Sequence, residues 1–289
     1  MKKTIFSALI LVIGMMCSMA IPAKADTIEK ATWLWNPWSL VDGSQETLDF
    51  LIDKQVTKVY VQIDRDLSAD VYRSFITGAS ERNIEVYALD GAPDWAAPKG
   101  YLQLRQLLGW VEHYQASSPG ESAFKGIHLD VEPYLYSGWN SKRATVIKAY
   151  QSLITEASVK TTQLNIRLEA DLPFWFDEIK YKNTYGNGLL SDWVQKQTDG
   201  ITIMAYRDTA ASITAFSLHE LAVGDQLAKP VTIGVETGDT DEGDYLTFHQ
   251  EGEAVMNSEL EKVYQQVKSY SSFRGFAIHH TESWKALHP

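Results

Sequence analysis

Cysteine is almost missing. The single one among 289 residues is Cys17, so the chain can form no internal disulfide framework and no thiolate metal site. Positive charge is also scarce: 26 Lys and Arg stand against 37 Asp and Glu, a net charge of −11. No basic cluster offsets that excess, which disfavours nucleic acid and anionic lipid and favours neutral or cationic partners. No glycine-rich phosphate loop follows any strand-like segment, and no His-Glu-x-x-His or His-x-x-x-His pattern marks a helical metal site. No low-complexity stretch, long linker or short repeat divides residues 26–289.

The first residues have the pattern of an export signal. Lys2 and Lys3 precede a mostly apolar run over 5–19, too short for a membrane span, and Ala23-Lys24-Ala25 offers small residues where a signal peptidase reads. The expectation is cleavage before Asp26. An uncleaved anchor, or a lipoprotein attached through Cys17, is the lesser alternative, because Met15 and Met16 are bulky where lipid attachment calls for small residues. Removing residues 1–25 takes away Lys2, Lys3, Lys24 and no acid, so the charge moves from −11 to −14. It also leaves no cysteine nucleophile. The expected product is a secreted or periplasmic monomer with no membrane span and no cofactor, its remaining ~260 residues long enough to bury a core unaided.

What fills residues 26–289 is an alternation of short apolar strands with amphipathic helices. Strands are expected at 32–35, 58–63, 85–89, 126–131, 164–170, 200–206, 230–236 and 274–279. Helices are expected at 45–54, 69–82, 102–115, 141–159, 189–197, 212–227 and 252–271, with Ser141 and Ser212 as caps. This regularity predicts one α/β domain, a single (β/α)8 TIM barrel, ahead of a doubly wound open sheet.

Strand side chains alternate between faces. With Ile127, Leu129 and Val131 turned to the helices, His128, Asp130 and Glu132 point into the barrel. By the same rule Gln62 and Asp64, Arg167, Glu169 and Asp171, Met204 and Tyr206, Glu236, and Ala277 and His279 face inward. Polar residues gather toward the C-terminal strand ends, the rim where barrel enzymes carry their chemistry. Buried charge is costly unless paired or used. Arg167 and Glu169 therefore suit a structural ion-pair layer, and Glu132, at the last strand position, suits catalysis. Trp35, Trp38, Trp95, Tyr134, Tyr136, Trp139, Trp175 and Trp284 follow strands at the same rim. Flat rings beside convergent polar groups fit sugars, although about half of such rings are expected only to fill loops, while Trp110 and Trp193 belong to helices and the core.

The segment Gly126-Ile-His-Leu-Asp-Val-Glu132 resembles the strand-four signature of family 18 glycoside hydrolases, the chitinases and endo-β-N-acetylglucosaminidases. Met204-Ala-Tyr206 resembles the family's Met-x-Tyr, and Trp284 its floor tryptophan. The resemblance implies a carbohydrate substrate with β-linked N-acetylhexosamine. Glu132 would be the general acid, and Asp130 would orient an acetamido group whose carbonyl attacks the anomeric carbon. Tyr206 would hydrogen-bond that group and Trp284 would floor the subsite. Trp35, Asp64, His128, Glu169, Glu236 and His279 complete the expected substrate-binding set. The sequence departs from the family where His128 replaces the middle aspartate and Lys125 the first.

Other readings stay open. Glu132 and Glu236 at the ends of strands four and seven could be the acid and nucleophile of a retaining glycosidase, ~5–5.5 Å apart. Val131 stands where such enzymes carry Asn. A non-catalytic sugar-binding barrel is a second alternative. A metal enzyme using Asp64, His128, Asp130 and His279 is a third, without a recognisable ligand spacing. The acidic, glycine-rich stretch 236–253 reads as a loop or lid over the cleft rather than an EF-hand.

Overall fold

The computed structural model describes residues 28–118 and 120–289. The expected signal segment, its cleavage point and Cys17 lie outside them. The elements begin β1 (Glu29–Leu34), α1 (Ser39–Asp53), β2 (Lys58–Gln62), α2 (Ala69–Ser80), β3 (Glu85–Asp90), α3 (Tyr101–Ser117), β4 (Gly126–Leu129), α4 (Trp139–Leu164) and β5 (Arg167–Pro173). They continue β6 (Lys180–Asn183), β7 (Gly186–Leu189), α5 (Leu190–Gln197), β8 (Gly200–Met204), α6 (Ala210–Ala215), α7 (Leu218–Leu227), β9 (Val231–Glu236), α8 (Glu253–Val267), β10 (Phe273–His279) and α9 (Thr281–Ala286). Eight of the strands form a closed parallel barrel in the order β1-β2-β3-β4-β5-β8-β9-β10, with β10 returning to β1. This is the single (β/α)8 barrel that the alternation of elements predicts.

The alternation rule separates two apolar compartments. Val59, Val61, Ile127, Leu129, Leu168, Ala170, Ile201, Ile203, Val231, Ile233, Phe276 and Ile278 belong to the core between strands and helices. Ala31, Trp33, Tyr60, Tyr87, Leu89 and Ala277 form a separate cluster, with Trp35 against it. These are the inward positions of β1, β2, β3 and β10, so an aromatic plug fills one side of the barrel. Along the other side run the charged positions of β4, β5 and β9.

Boundaries differ from expectation where local signals are weak. β1 begins at Glu29, three residues early, and β5 at Arg167, three residues late, because α4 runs on to Leu164. It stops at Asn165, which takes a left-handed conformation with φ of 53°. Asn tolerates that geometry and ends helices for this reason. The expected helix at 212–227 breaks into α6 and α7. The antiparallel hairpin β6–β7 and the six-residue α9 were not expected, both being too short to show periodicity.

Register positions the upper site. His128 is level with Glu169 across β4–β5, and His279 with Glu236 across β10–β9. Gly91, just past β3, is required by a close approach: a Cβ there would lie 2.0 Å from the backbone oxygen of Asp130. The Asp130 N–H donates to the Asp90 carbonyl at 3.1 Å. Any side chain at position 91 would push Asp130 out of place.

Candidate active site

Toward the N-terminal end of the barrel interior lies a charge layer built on one lysine and two carboxylates. Lys58 Nζ is 2.9 Å from Glu169 Oε1 and 2.9 Å from Glu29 Oε2, and Thr232 donates to the other Glu29 oxygen at 3.0 Å. All three ionic side chains are nearly inaccessible. Burial disfavours charge on Glu169, yet Lys58 and His128 hold its carboxyl down at about 2. Glu169 thus takes the structural role that buried charge suggested. Its cation differs from the expected one: Arg167, the first residue of β5, is exposed at the barrel end, and Lys58 at the first position of β2 replaces it.

Above this layer sits His128, fully buried. Its ring stacks on Tyr60, with centroids 3.7 Å apart and planes inclined by 24°. Nε2 lies 2.9 Å from Asp171 Oδ1, and Nδ1 lies 3.8 Å from Glu169 Oε2. The Asp171 contact is within hydrogen-bonding distance, and both carboxylates attract the ring. Burial works against an imidazolium, but Asp171 and Glu169 outweigh it and raise the His128 pKa from 6.5 to about 9. The second Asp171 oxygen accepts the indole N–H of Trp33 at 3.0 Å.

Asp130 and Glu132 form the next tier. Burial pushes the Asp130 carboxyl well above the usual carboxylate range, and Asp171 and Glu132 add repulsion. Asp130 Oδ1 is buried without a hydrogen-bond partner. Glu132 is also raised, chiefly by burial and then by Asp171 and Glu242, while the hydroxyl of Tyr134 donates to its Oε1 and counters the shift. The loop over 237–252 brings Glu242 into the electrostatic reach of Glu132. It is fastened to the neighbouring loop by the Asp208 N–H, which donates to the Tyr245 carbonyl at 3.2 Å.

On the far wall, Trp35 Nε1–H donates to His279 Nε2 at 3.0 Å, and His279 Nδ1 lies 2.7 Å from Glu236 Oε2. That chain fixes the proton on Nδ1, because Nε2 must accept. Glu236 Oε1 accepts the N–H groups of Thr237 at 2.8 Å and Gly238 at 2.6 Å. Burial opposes ionisation of Glu236, and these donors, with His279 foremost, hold its pKa below normal. Tyr206 is half-buried, its ring 5.8 Å from that of His279. Burial, followed by Glu236, Asp171, Asp130 and Glu132, keeps its phenol protonated.

Tyr206, Glu132, Asp130, His128, His279, Glu236 and Trp35 are therefore linked through direct contacts or shared electrostatic neighbours. Asp64 sits on the rim, accepting from Trp38 Nε1–H at 2.7 Å and from the Asp66 N–H at 2.9 Å. Trp284 goes elsewhere. It is buried on α9 in the helix-side core, edge-on to Phe50 at 5.5 Å, and donates to Glu253 at 3.1 Å. The indoles beside the acids are instead Trp33 and Trp35. Asp171 and Tyr134 also belong to the site without having been assigned a role: Asp171 followed from the strand-five alternation, whereas nothing in the sequence marked Tyr134 as the donor to Glu132.

No protein-family model matches the chain, and no curated protein matches it in sequence. Solved structures do match in fold. Catalytic domain 2 of the Ostrinia furnacalis Group II chitinase gives a TM-score of 0.57 at 12% identity, over 89% of this chain and 90% of that one. A chitinase from Bacteroides thetaiotaomicron gives 0.55 at 11%, over 90% and 93%. The GH18 chitinase from Cycas revoluta in complex with (GlcNAc)3 gives 0.51 at 10%, over 88% and 95%. At such identities the likeness is one of fold, and the barrel is of the kind found in family 18 chitinases.

Proposed function

We propose that this chain is an exported glycoside hydrolase that cleaves β-linked N-acetylhexosamine glycans at the barrel mouth by a substrate-assisted mechanism. The observation that carries the reading is the charge imbalance of the upper tier. A purely structural layer gives its acids a cation, as Lys58 does for Glu29 and Glu169. Asp130 and Glu132 are instead crowded beside Asp171, raised in pKa, and left with an unpartnered Asp130 oxygen. Strongly perturbed acids in a cleft are what general acid chemistry requires.

In this reading Glu132, its pKa raised by burial and by Asp171, gives its proton to the glycosidic oxygen as the C1–O bond breaks. The acetamido carbonyl oxygen of the sugar attacks C1 from the other face, so no enzyme nucleophile is needed. Asp130 Oδ1 accepts the acetamido N–H and orients it. The Tyr206 hydroxyl is a donor for the acetamido oxygen. A water then opens the cyclic intermediate, losing its proton to the Glu132 carboxylate, which restores the acid. Trp35, half-buried at the barrel mouth, is the indole available to the sugar face, in place of Trp284.

The test is digestion of a glycan panel read by mass spectrometry, wild type beside Glu132→Gln. Cleavage of N-acetylhexosamine oligomers by wild type, reduced by about 10²–10⁴ in the variant, is expected for loss of a general acid. Cleavage that survives the substitution removes Glu132 from the role. Glycan binding with no product from either protein makes the barrel a binding module.

A further inference from the structure

The end of the barrel opposite the acids carries a different chemistry. A cavity of about 850 Å³ opens there, among the segments that lead into β1, β5, β8, β9 and β10. In a chain of net charge −11, its walls include four cations, Arg167, Lys229, Lys268 and Arg274, and one acid, Asp199. The volume falls within the range of small-molecule sites, roughly 300–1,000 Å³.

The cations are not consumed by carboxylates. Among the described residues no ion pair joins Arg167, Lys229 or Lys268 to an acid. Arg274 has a single long contact, 3.8 Å to Glu29. That Glu29 is already held by Lys58 and Thr232. Asp199 is engaged too, accepting the Leu168 N–H at 2.8 Å. Lys229 donates to the Lys196 carbonyl at 2.8 Å and to that of Thr198, which fixes the ammonium, and Asp199 is the acid that attracts it. Lys58, a few residues deeper, shows the contrast: its charge is met by two carboxylates. Four cations around one cavity, facing a single lining acid that already accepts a backbone N–H, form a ready anion site, and guanidinium groups bind phosphate or carboxylate in a bidentate manner.

We propose that this cavity binds an organic anion bearing two or more phosphate or carboxylate groups, with Arg167 and Arg274 as the bidentate contacts and Lys229 and Lys268 as the flanking charges. The rings of Tyr264, Tyr270 and Phe273 line the same cavity and supply apolar faces for the carbon skeleton. The site is independent of the acids at the other end, so its fate does not depend on the hydrolase reading.

The experiment is calorimetric titration of the exported chain with inorganic tripolyphosphate and, separately, with citrate, at low and moderate salt. Saturable binding that weakens as salt rises is expected, at least about 10-fold weaker in Arg167→Gln/Arg274→Gln and unchanged in Glu132→Gln. Binding of tripolyphosphate alone assigns the site to phosphates, and binding of citrate alone assigns it to carboxylates. Should the double variant fail to fold, Lys268→Gln, on the exposed end of α8, still has to weaken binding. Absence of binding by both probes, or equal affinity in wild type and variants, overturns the proposal.

Discussion

Replacing His128 with Asn tests the electrostatic centre of the barrel. In the folded protein the His128 pKa is about 9 against an ordinary 6.5, because Asp171 and Glu169 outweigh the cost of burial. The folded state therefore keeps a proton that the unfolded chain releases above 6.5. A raised histidine pKa gives stability that is complete below 6.5 and is lost as pH rises through 9. At 1.36 kcal/mol per pKa unit, the loss over that window is about 3 kcal/mol. Asn cannot titrate. The difference in unfolding free energy between wild type and His128→Asn should thus shrink by about 3 kcal/mol between pH 6 and pH 9.5. Urea unfolding followed by tryptophan fluorescence measures it, and comparison with wild type cancels groups that titrate in both, such as Glu220, raised to about 8 by burial. A difference that stays constant across that range would refute a buried imidazolium at position 128.

Three more predictions follow from the same geometry. Tyr134→Phe removes the donor that holds the Glu132 pKa down, so the alkaline limb of kcat/KM should move to higher pH; a shift the other way contradicts the assigned contact. Glu236→Gln should cost less than about 10-fold in kcat, because its carboxylate already serves His279 and two backbone N–H groups; a loss of about 10³ or more would make it a nucleophile. Lys58→Met leaves Glu29 and Glu169 buried without their cation and should lower unfolding free energy by about 3–5 kcal/mol in denaturant titrations at neutral pH; an unchanged midpoint would mean the triad is not ionised.

Much of the barrel was legible because its strands bury both faces under different rules. Outward positions of β4, β8 and β9 are uniformly aliphatic, which pins the inward set without ambiguity, and His128, Asp130 and Glu132 fall where the alternation puts them. Trp284 was misjudged for a physical reason. It follows the last strand, but the short helix α9 turns it toward Phe50 and α8 rather than the mouth, and a six-residue helix leaves no periodic trace. Lys58 was missed because a lysine opening an apolar strand looks like a solvent-facing end residue; only closure of the barrel brings Glu29 and Glu169 around it. Tyr134 lies in a loop, where no periodicity predicts direction.

Position 128 holds histidine where the resembled strand signature has aspartate, which bears on whether an acid at Glu132 can work beside it. With every group ionised, Asp130, Glu132 and Asp171 would oppose one imidazolium, an excess of two negative charges in a water-poor space. Burial makes that excess costly, and protons remove it. The raised pKa values of Asp130 and Glu132 act in that direction, each favouring the neutral acid. The imidazole lies in contact with Asp171, and the carboxyls whose pKa values are raised are the two nearest the mouth, Asp130 and Glu132. A neutral residue at 128 would remove the cation that Asp171 contacts at 2.9 Å. A histidine at 128 is therefore compatible with an acid at Glu132, because β5 places the carboxyl of Asp171 where it adds repulsion to both Asp130 and Glu132.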